Sequence, residues 1–338
     1  MFLTKLSLTN FRSYQHLETE IPSGILLLSG GNAQGKTTIL EALFYCATFS
    51  SLLAENDRQL IRFESMKEPI AVARIVAQFQ KSETDHKLEI RIIQETNSLN
   101  KHVRKEILLD NVKTSAQKTV GFFPAVLLIP QMTAILEGSP HERRRYLNIT
   151  LSQSIPGYAQ ALTEYNQIIS QRNALLKLLG ERKADPQQLD YWDEIMSKRA
   201  SFIIYHRIHA LHTLEKLAQE AHRKLTANVE NLFLNYQPSY DPAYDSVKRD
   251  SIAYSWSDRQ DRLINKPDEI QTGFRMRLNS IRNQEIERGI STIGPHRDDF
   301  RIIGNDIDIG TYGSRGQIRT ALISLKLAEI NWMKDKLG

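Results

Sequence analysis

The chain has 338 residues, a length suited to about two domains. Its composition, 41% hydrophobic and 25% charged, is that of an ordinary soluble globular protein, and a net charge of +5 permits nucleic-acid binding without requiring it. The single cysteine, Cys46, excludes an intrachain disulfide, and no apolar run reaches the roughly 18 residues of a membrane span, so a reducing, cytoplasmic setting is expected.

The first residues alternate: Phe2, Leu6 and Leu8 against Lys5, Ser7 and Thr9. They predict a strand rather than the apolar core of a signal peptide. Leu17, Thr19 and Ile21 make a second strand, ended by Pro22-Ser23-Gly24, with Asn10-Phe11-Arg12-Ser13-Tyr14 between the two. Ile25-Leu26-Leu27-Leu28 predicts a third, buried strand.

Gly30-Gly31-Asn32-Ala33-Gln34-Gly35-Lys36-Thr37 follows at once. Two glycines five apart, then Lys and Thr, fit the phosphate-binding loop, and the apolar run Thr38 to Ala47 supplies the helix it requires. Glycine lets the backbone approach a ligand closely, and the loop N–H groups with the positive helix end face anionic oxygens. Gly30 to Thr38 are therefore candidate nucleotide-binding residues. Lys36 would reach the β- and γ-phosphates, and the Thr37 hydroxyl would hold Mg²⁺. The competing reading is a glycine turn capping a helix with a solvated Lys36; the flanking elements favour nucleotide.

Residues 70 to 79, 88 to 92 and 107 to 112 alternate as an antiparallel meander. Asp110, after Ile107-Leu108-Leu109, imitates the acidic end of a catalytic strand, but the adjoining Asn111 favours a hairpin turn. Val126 to Ile129 predicts another short strand, closed by Pro130-Gln131. From His141 the period becomes helical. One helix spans 157 to 179 and stops at Gly180. A second starts with Asp185 as cap and Pro186 at its first position, and runs to about Leu234 without Pro or Gly. Its stripe includes Leu189, Trp192, Met196, Ile203, Leu211, Leu214, Ala218, Ala221, Leu225 and Leu232. Unbroken it would be roughly 70 Å long; two or three shorter helices are the alternative. Residues 236 to 269, with Pro238, Pro242 and Pro267, suit strands and loops, and another helix covers 270 to 287.

Near the end, Tyr312-Gly313-Ser314-Arg315-Gly316-Gln317 precedes a helix with Ile318, Ala321, Leu322, Leu325, Ala328 and Trp332 on one face. Ser314 and Gln317 have capping-box spacing. The same helix start, with its Ser314 and Gly316 N–H groups, is an anion site. Paired with the upstream phosphate loop, it suggests a γ-phosphate sensor presented by a second subunit.

These motifs together resemble the RecF family, bacterial recombination mediators related to SMC proteins and the wider ABC ATPases. The resemblance runs through Asn10 to Tyr14, Gly31 to Thr37 with Leu40-Glu41-Ala42, Gly138-Ser139-Pro140 with Arg143-Arg144-Arg145-Tyr146-Leu147, Gln171-Arg172-Asn173, Trp192-Asp193, Gly294-Pro295-His296-Arg297-Asp298-Asp299 and Ser314 to Gln317 with Arg319-Thr320. It implies an α/β fold, a P-loop ABC/SMC-like ATPase head with an inserted, mainly helical domain. The boundaries expected are 1–138 and 286–338 for the two parts of the head and 139–285 for the insertion. It further implies an ATP-dependent homodimer with two nucleotides sandwiched between Lys36 of one head and Ser314 of the other. Such a dimer would act on double-stranded DNA near gaps, with RecR and RecO, to promote RecA loading in recombinational repair and replication.

The resemblance makes Arg12 a candidate phosphate contact, with a solvated turn arginine as the alternative. It makes Gln131 a candidate Mg²⁺ and γ-phosphate sensor, where many relatives carry an acidic residue after the proline. Asn148 stands where Asp is frequent and gains no role. His296, Asp298 and Asp299 are adjacent residues with no further His or Cys nearby, a poor metal set. Arg143 to Arg145 form at most a weak DNA-phosphate patch. The family's paired Walker B carboxylates would follow Gly338, so no catalytic carboxylate is assigned. The family is a slow DNA-dependent ATPase, and these 338 residues are expected to bind ATP and turn it over poorly. A transporter motor subunit shares both anchors but spaces them more closely, and a small-molecule P-loop kinase would need neither the Ser314 helix nor the insertion.

Overall fold

Alternating apolar and polar residues lay down a six-stranded antiparallel sheet in the first part of the chain. The computed structural model describes residues 1–96, 101–243 and 258–338. They form two compact units, Met1–Leu127 and Leu128–Gly338. In the first, β1 (Phe2–Phe11), β2 (Tyr14–Glu20), β3 (Ile70–Lys81), β4 (Thr84–Thr96), β5 (Lys101–Leu109) and β6 (Val112–Thr114) pair in the order β2-β1-β3-β4-β5-β6. One sheet face carries Leu6, Leu8, Ile75, Ala77, Leu88, Ile90, Ile92 and Ile107 into a core completed by Ala42, Tyr45 and Cys46 of helix α1 (Lys36–Thr48). Full burial of each Leu or Ile stabilises the unit by about 1.5–3 kcal/mol. The meander is as expected. Its turns at Ser82-Glu83 and Asp110-Asn111 have positive φ at both central residues, the geometry of tight two-residue hairpins. Asp110 is thus a turn residue. Its carboxylate accepts the Lys87 N–H at 2.8 Å and meets His86 Nδ1 at 2.8 Å.

Two predicted strands are not formed. Ile25–Leu28 has no sheet partner, and Ile25 and Leu27 are 102% and 84% exposed. The chain leaves the sheet after Ile21, whose N–H bonds Thr4 O at 2.8 Å, and no described strand pairs with the run that follows. Val126–Ile129 likewise lacks ladder partners, though Ile129 has extended dihedrals. A four-residue helix, α2 (Ala116–Thr119), precedes it.

The second unit is mainly helical: α3 (Ala134–Glu137), α4 (Pro140–Ser154), α5 (Tyr158–Gly180), α6 (Gln188–Leu225), α7 (Asp258–Ile264), α8 (Pro267–Arg288), α9 (Ile309–Tyr312) and α10 (Arg315–Leu337). Strands β7 (Leu232–Gln237), β8 (Asp299–Gly304) and β9 (Ile307–Asp308) form a small antiparallel sheet. The long stripe is one unbroken helix of 38 residues, about 57 Å. Its apolar face, with Leu189, Met196, Ile203, Leu211, Leu214 and Ala218 buried, packs on α5, α8 and α10. It begins later than predicted, because Asp185 to Gln187 form a tight turn in which Asp185 Oδ1 accepts the Gln187 N–H at 2.9 Å. It ends at Leu225, where Ala227 and Asn228 adopt φ of 51° and 63°. Helix α8 starts at Pro267, three residues before the predicted boundary, with Glu269 Oε2 accepting the Lys266 N–H at 2.7 Å. Of the proline-bearing stretch before it, residues 244–257 lie outside the described residues. No described helix is long and apolar enough to cross a membrane.

Candidate nucleotide site

The phosphate loop is an exposed turn leading into α1, whose N-cap is Gly35. Gly30, Ala33 and Gly35 have φ of 147°, 60° and 85°. Gly35 is required twice over: its φ is left-handed, and a Cβ there would lie 2.7 Å from the Tyr14 hydroxyl oxygen. Lys36 folds back across the loop, donating from Nζ to Gly30 O at 2.8 Å and Gly31 O at 2.5 Å. The ammonium is thus held over the loop's concavity by two neutral carbonyls, partners that an anionic oxygen would outcompete. Thr37 is exposed at the helix start, and no acidic side chain occupies the first turn of α1 to repel an anion.

Asn10 to Tyr14 is the β1–β2 turn, and it braces this loop. The Tyr14 ring lies against Gly35, and its hydroxyl reaches Gln34 O at 3.4 Å. Arg12 is neither a free turn residue nor open to the loop alone. Its Nε and Nη2 donate to Glu41 Oε2 and Oε1 at 2.9 and 2.7 Å, and Nη1 donates to Gln59 O at 3.1 Å. Three of the five guanidinium N–H groups are engaged in holding the hairpin to α1. Tyr14 and Glu41 lie inside motifs the sequence singles out, but their roles are not legible there, because each depends on a contact across the fold.

In the second unit, Ser314 caps α10 as its spacing predicts. Ser314 Oγ accepts the Gln317 N–H at 3.3 Å, and Gln317 Oε1 accepts the Ser314 N–H at 2.9 Å. Gly313 has to be glycine, since a Cβ would lie 2.4 Å from Ile309 O; Gly316 is exposed beside Ser314. Gln131 is exposed on a single turn of 3₁₀ helix, Pro130–Thr133.

The Gly294–Asp299 run acquires a structural role in the same unit. Asp298 is 2% exposed and accepts from Arg207 Nη1 (2.9 Å), Tyr236 Oη (2.6 Å), Ser239 N (2.9 Å) and Ser239 Oγ (3.1 Å). Arg207 also binds Pro295 O and Asn148 Oδ1, at 2.6 and 2.9 Å, which gives Asn148 a place in this network. Asp299 is gripped at both oxygens by Arg143, at 2.6 and 2.8 Å. Arg143 is 1% exposed, and Arg144 donates to Asp298 O at 2.8 Å, so these two arginines of the triplet are engaged within the fold. No described group of three or more His, Cys, Asp or Glu could hold a metal ion. Cys46 is buried, which pushes its thiol up to about 12, the behaviour of a core residue rather than a nucleophile.

Comparison with known proteins agrees with this geometry. A family model described as an AAA domain matches residues 5–231. The DNA replication and repair protein RecF of Herpetosiphon aurantiacus is 35% identical over 349 residues, covering 100% of this chain and 83% of that protein. The RecF of Halothermothrix orenii is 36% identical over 340 residues, covering 100% of this chain and 82% of its relative. A solved structure of the recombination mediator protein RecF with ATP, in the RecFOR pathway, superposes with a TM-score of 0.81 at 26% identity, over 99% of this chain and 83% of that one. The chain belongs to the RecF family of DNA replication and repair proteins.

Proposed function

We propose that the protein is an ATP-gated, DNA-binding recombination mediator of the cytoplasm. The observation that carries this reading is the glycine loop at the start of α1, with Lys36 already poised across Gly30 and Gly31. Residues Gly30 to Thr38 bind the ATP phosphates through loop N–H groups and Lys36, and Thr37 contributes its hydroxyl to Mg²⁺. Ser314, Gly316 and Gln317 of a second copy contact the γ-phosphate, so that nucleotide bridges an isologous dimer. Gln131 assists at Mg²⁺, and Arg12 supports the loop through Glu41. Residues 1–138 and 286–338 make up the ATPase head, with 139–285 as its insertion.

The dimer binds duplex DNA near single-strand gaps and, with RecR and RecO, promotes recombinase loading. The solved relative with ATP and the RecF relatives support this reading. Asp110, which follows the apolar run Ile107 to Leu109, is committed to its hairpin and offers no catalytic carboxylate. The test is binding of unrelated duplexes with and without ATP, at two salt concentrations. Binding that needs ATP, ignores sequence and weakens with salt is expected from a +5 chain relying on phosphate contacts. Strong preference for one sequence, or binding indifferent to ATP, would refute it.

A further inference from the structure

The start of α10 is wired to the end of α6 by side chains that a simple helix cap does not need. Gln317 has both ends of its amide engaged: Oε1 accepts the Ser314 N–H at 2.9 Å, and Nε2 donates to Glu230 Oε1 at 2.9 Å. An ionised carboxylate only accepts, so Glu230 fixes which way the amide faces. A flipped Gln317 would set oxygen against oxygen and NH₂ against N–H. With Ser314 Oγ accepting from the Gln317 N–H, the serine's own hydroxyl proton is left for an outside acceptor.

Glu230 is itself aimed. It lies in the link between α6 and β7, where His222, fully buried in the last turn of α6, meets Glu230 Oε2 through Nε2 at 3.2 Å. The other imidazole nitrogen meets Ser324 Oγ at 3.0 Å, and Ser324 donates to Thr320 O at 2.8 Å. Thr226 Oγ1 donates to His222 O at 2.8 Å and accepts the Glu230 N–H at 3.4 Å. Ala227 and Asn228, two successive non-glycine residues in the left-handed region, turn the chain so that Glu230 returns over His222.

We propose that Glu230, oriented by His222, is a positioning residue for Ser314, and that it makes nucleotide bridging by Ser314 depend on the C-terminal end of α6. The relay Ser314–Gln317–Glu230–His222–Ser324 begins and ends on α10 and passes through the end of α6. Any partner or rearrangement that displaces that end releases the Gln317 amide. This rests on the reading of Ser314 as the γ-phosphate contact.

The experiment uses Glu230→Gln, which keeps the shape but lets Gln317 flip, and Glu230→Ala, which removes the contact. Amide hydrogen exchange at Ser314 and Gln317 should rise about tenfold in both, with exchange in the middle of α6 unchanged. ATP affinity of the phosphate loop should be unchanged, while the ATP-dependent dimer population falls about tenfold. Unchanged exchange at Ser314 and Gln317 in both variants overturns the proposal. So does faster exchange with normal ATP-driven dimerisation, where Ser314→Arg alone abolishes it. If Ser314→Arg also dimerises normally with ATP, the bridging reading fails instead, and the exchange result alone decides whether Glu230 positions Ser314.

Discussion

Arg12 closes a two-point fork on Glu41, at 2.9 and 2.7 Å, and so ties the β1–β2 hairpin to the helix that carries the phosphate loop. Glu41 is 5% exposed and also accepts the Ser51 hydroxyl, at 2.5 Å. Arg12→Ala therefore leaves a buried carboxylate short of a charge partner. It should cost about 3 kcal/mol in urea unfolding. Glu41→Gln should weaken ATP binding as much as Arg12→Ala does, if Arg12 acts by placing α1. A larger loss in Arg12→Ala would add a direct phosphate contact to its role.

Lys36→Ala should abolish ATP binding with the fold intact. Among the described residues its Nζ bonds the loop carbonyls of Gly30 and Gly31, so its removal should change stability by less than about 1 kcal/mol. ATP affinity should fall by about two orders of magnitude or more, the loss of a charge-assisted phosphate contact. Calorimetry showing unchanged affinity would remove the loop's assignment.

What the sequence made legible was what repeats. The period-two runs of β3 and β4 and the helical stripe of α6 each record one buried face, so their positions could be read locally. Ile25–Leu28 failed because apolar content says that a run suits burial on both faces but does not supply the strands that would cover it. The contacts that organise the second unit were invisible for a different reason. Arg207 and Asp298 are 91 positions apart, and Glu230 and Gln317 are 87 apart. Neither pair leaves a local pattern. Capping spacing alone placed Ser314 and Gln317 correctly, because that bond is local.

Asp298→Asn should be among the most damaging isosteric changes in the second unit. The carboxylate takes four donated bonds, from Arg207, Tyr236 and both the N–H and hydroxyl of Ser239. An amide offers one oxygen and turns an NH₂ toward donors, leaving the buried Arg207 charge without its counterion. The expected loss is about 3–5 kcal/mol in urea unfolding. A loss below about 1 kcal/mol would show that the Arg207–Asp298 pair does not hold the unit together.

His296 should make stability depend on pH between about 6.5 and 4. Its Nε2 faces Ser291 O at 3.3 Å, and a carbonyl only accepts, so Nε2 carries the proton. Nδ1 then accepts from the Tyr165 hydroxyl at 2.8 Å, and the neutral ring is satisfied on both sides. Burial lowers the ring from 6.5 to about 4; Arg297 and Arg144 push the same way, against the raising effects of the Ser291 carbonyl and Asp298. Between those two values the unfolded chain binds a proton that the folded chain refuses. Stability is therefore fully present above about 6.5, falls as pH drops through this window, and levels off below about 4, where both states are protonated. The total is about 3 kcal/mol, with a slope of up to about 1.4 kcal/mol per pH unit. Carboxylates titrate in the lower part of the same range, so the measurement is a difference. Urea unfolding of wild type and His296→Gln at pH 8, 7, 6 and 5 should show the wild-type advantage shrinking steadily below about pH 6.5. A gap that stays constant from pH 7 to 5 would mean that the folded protein accepts the proton, and that the Tyr165–His296–Ser291 chain tolerates an imidazolium.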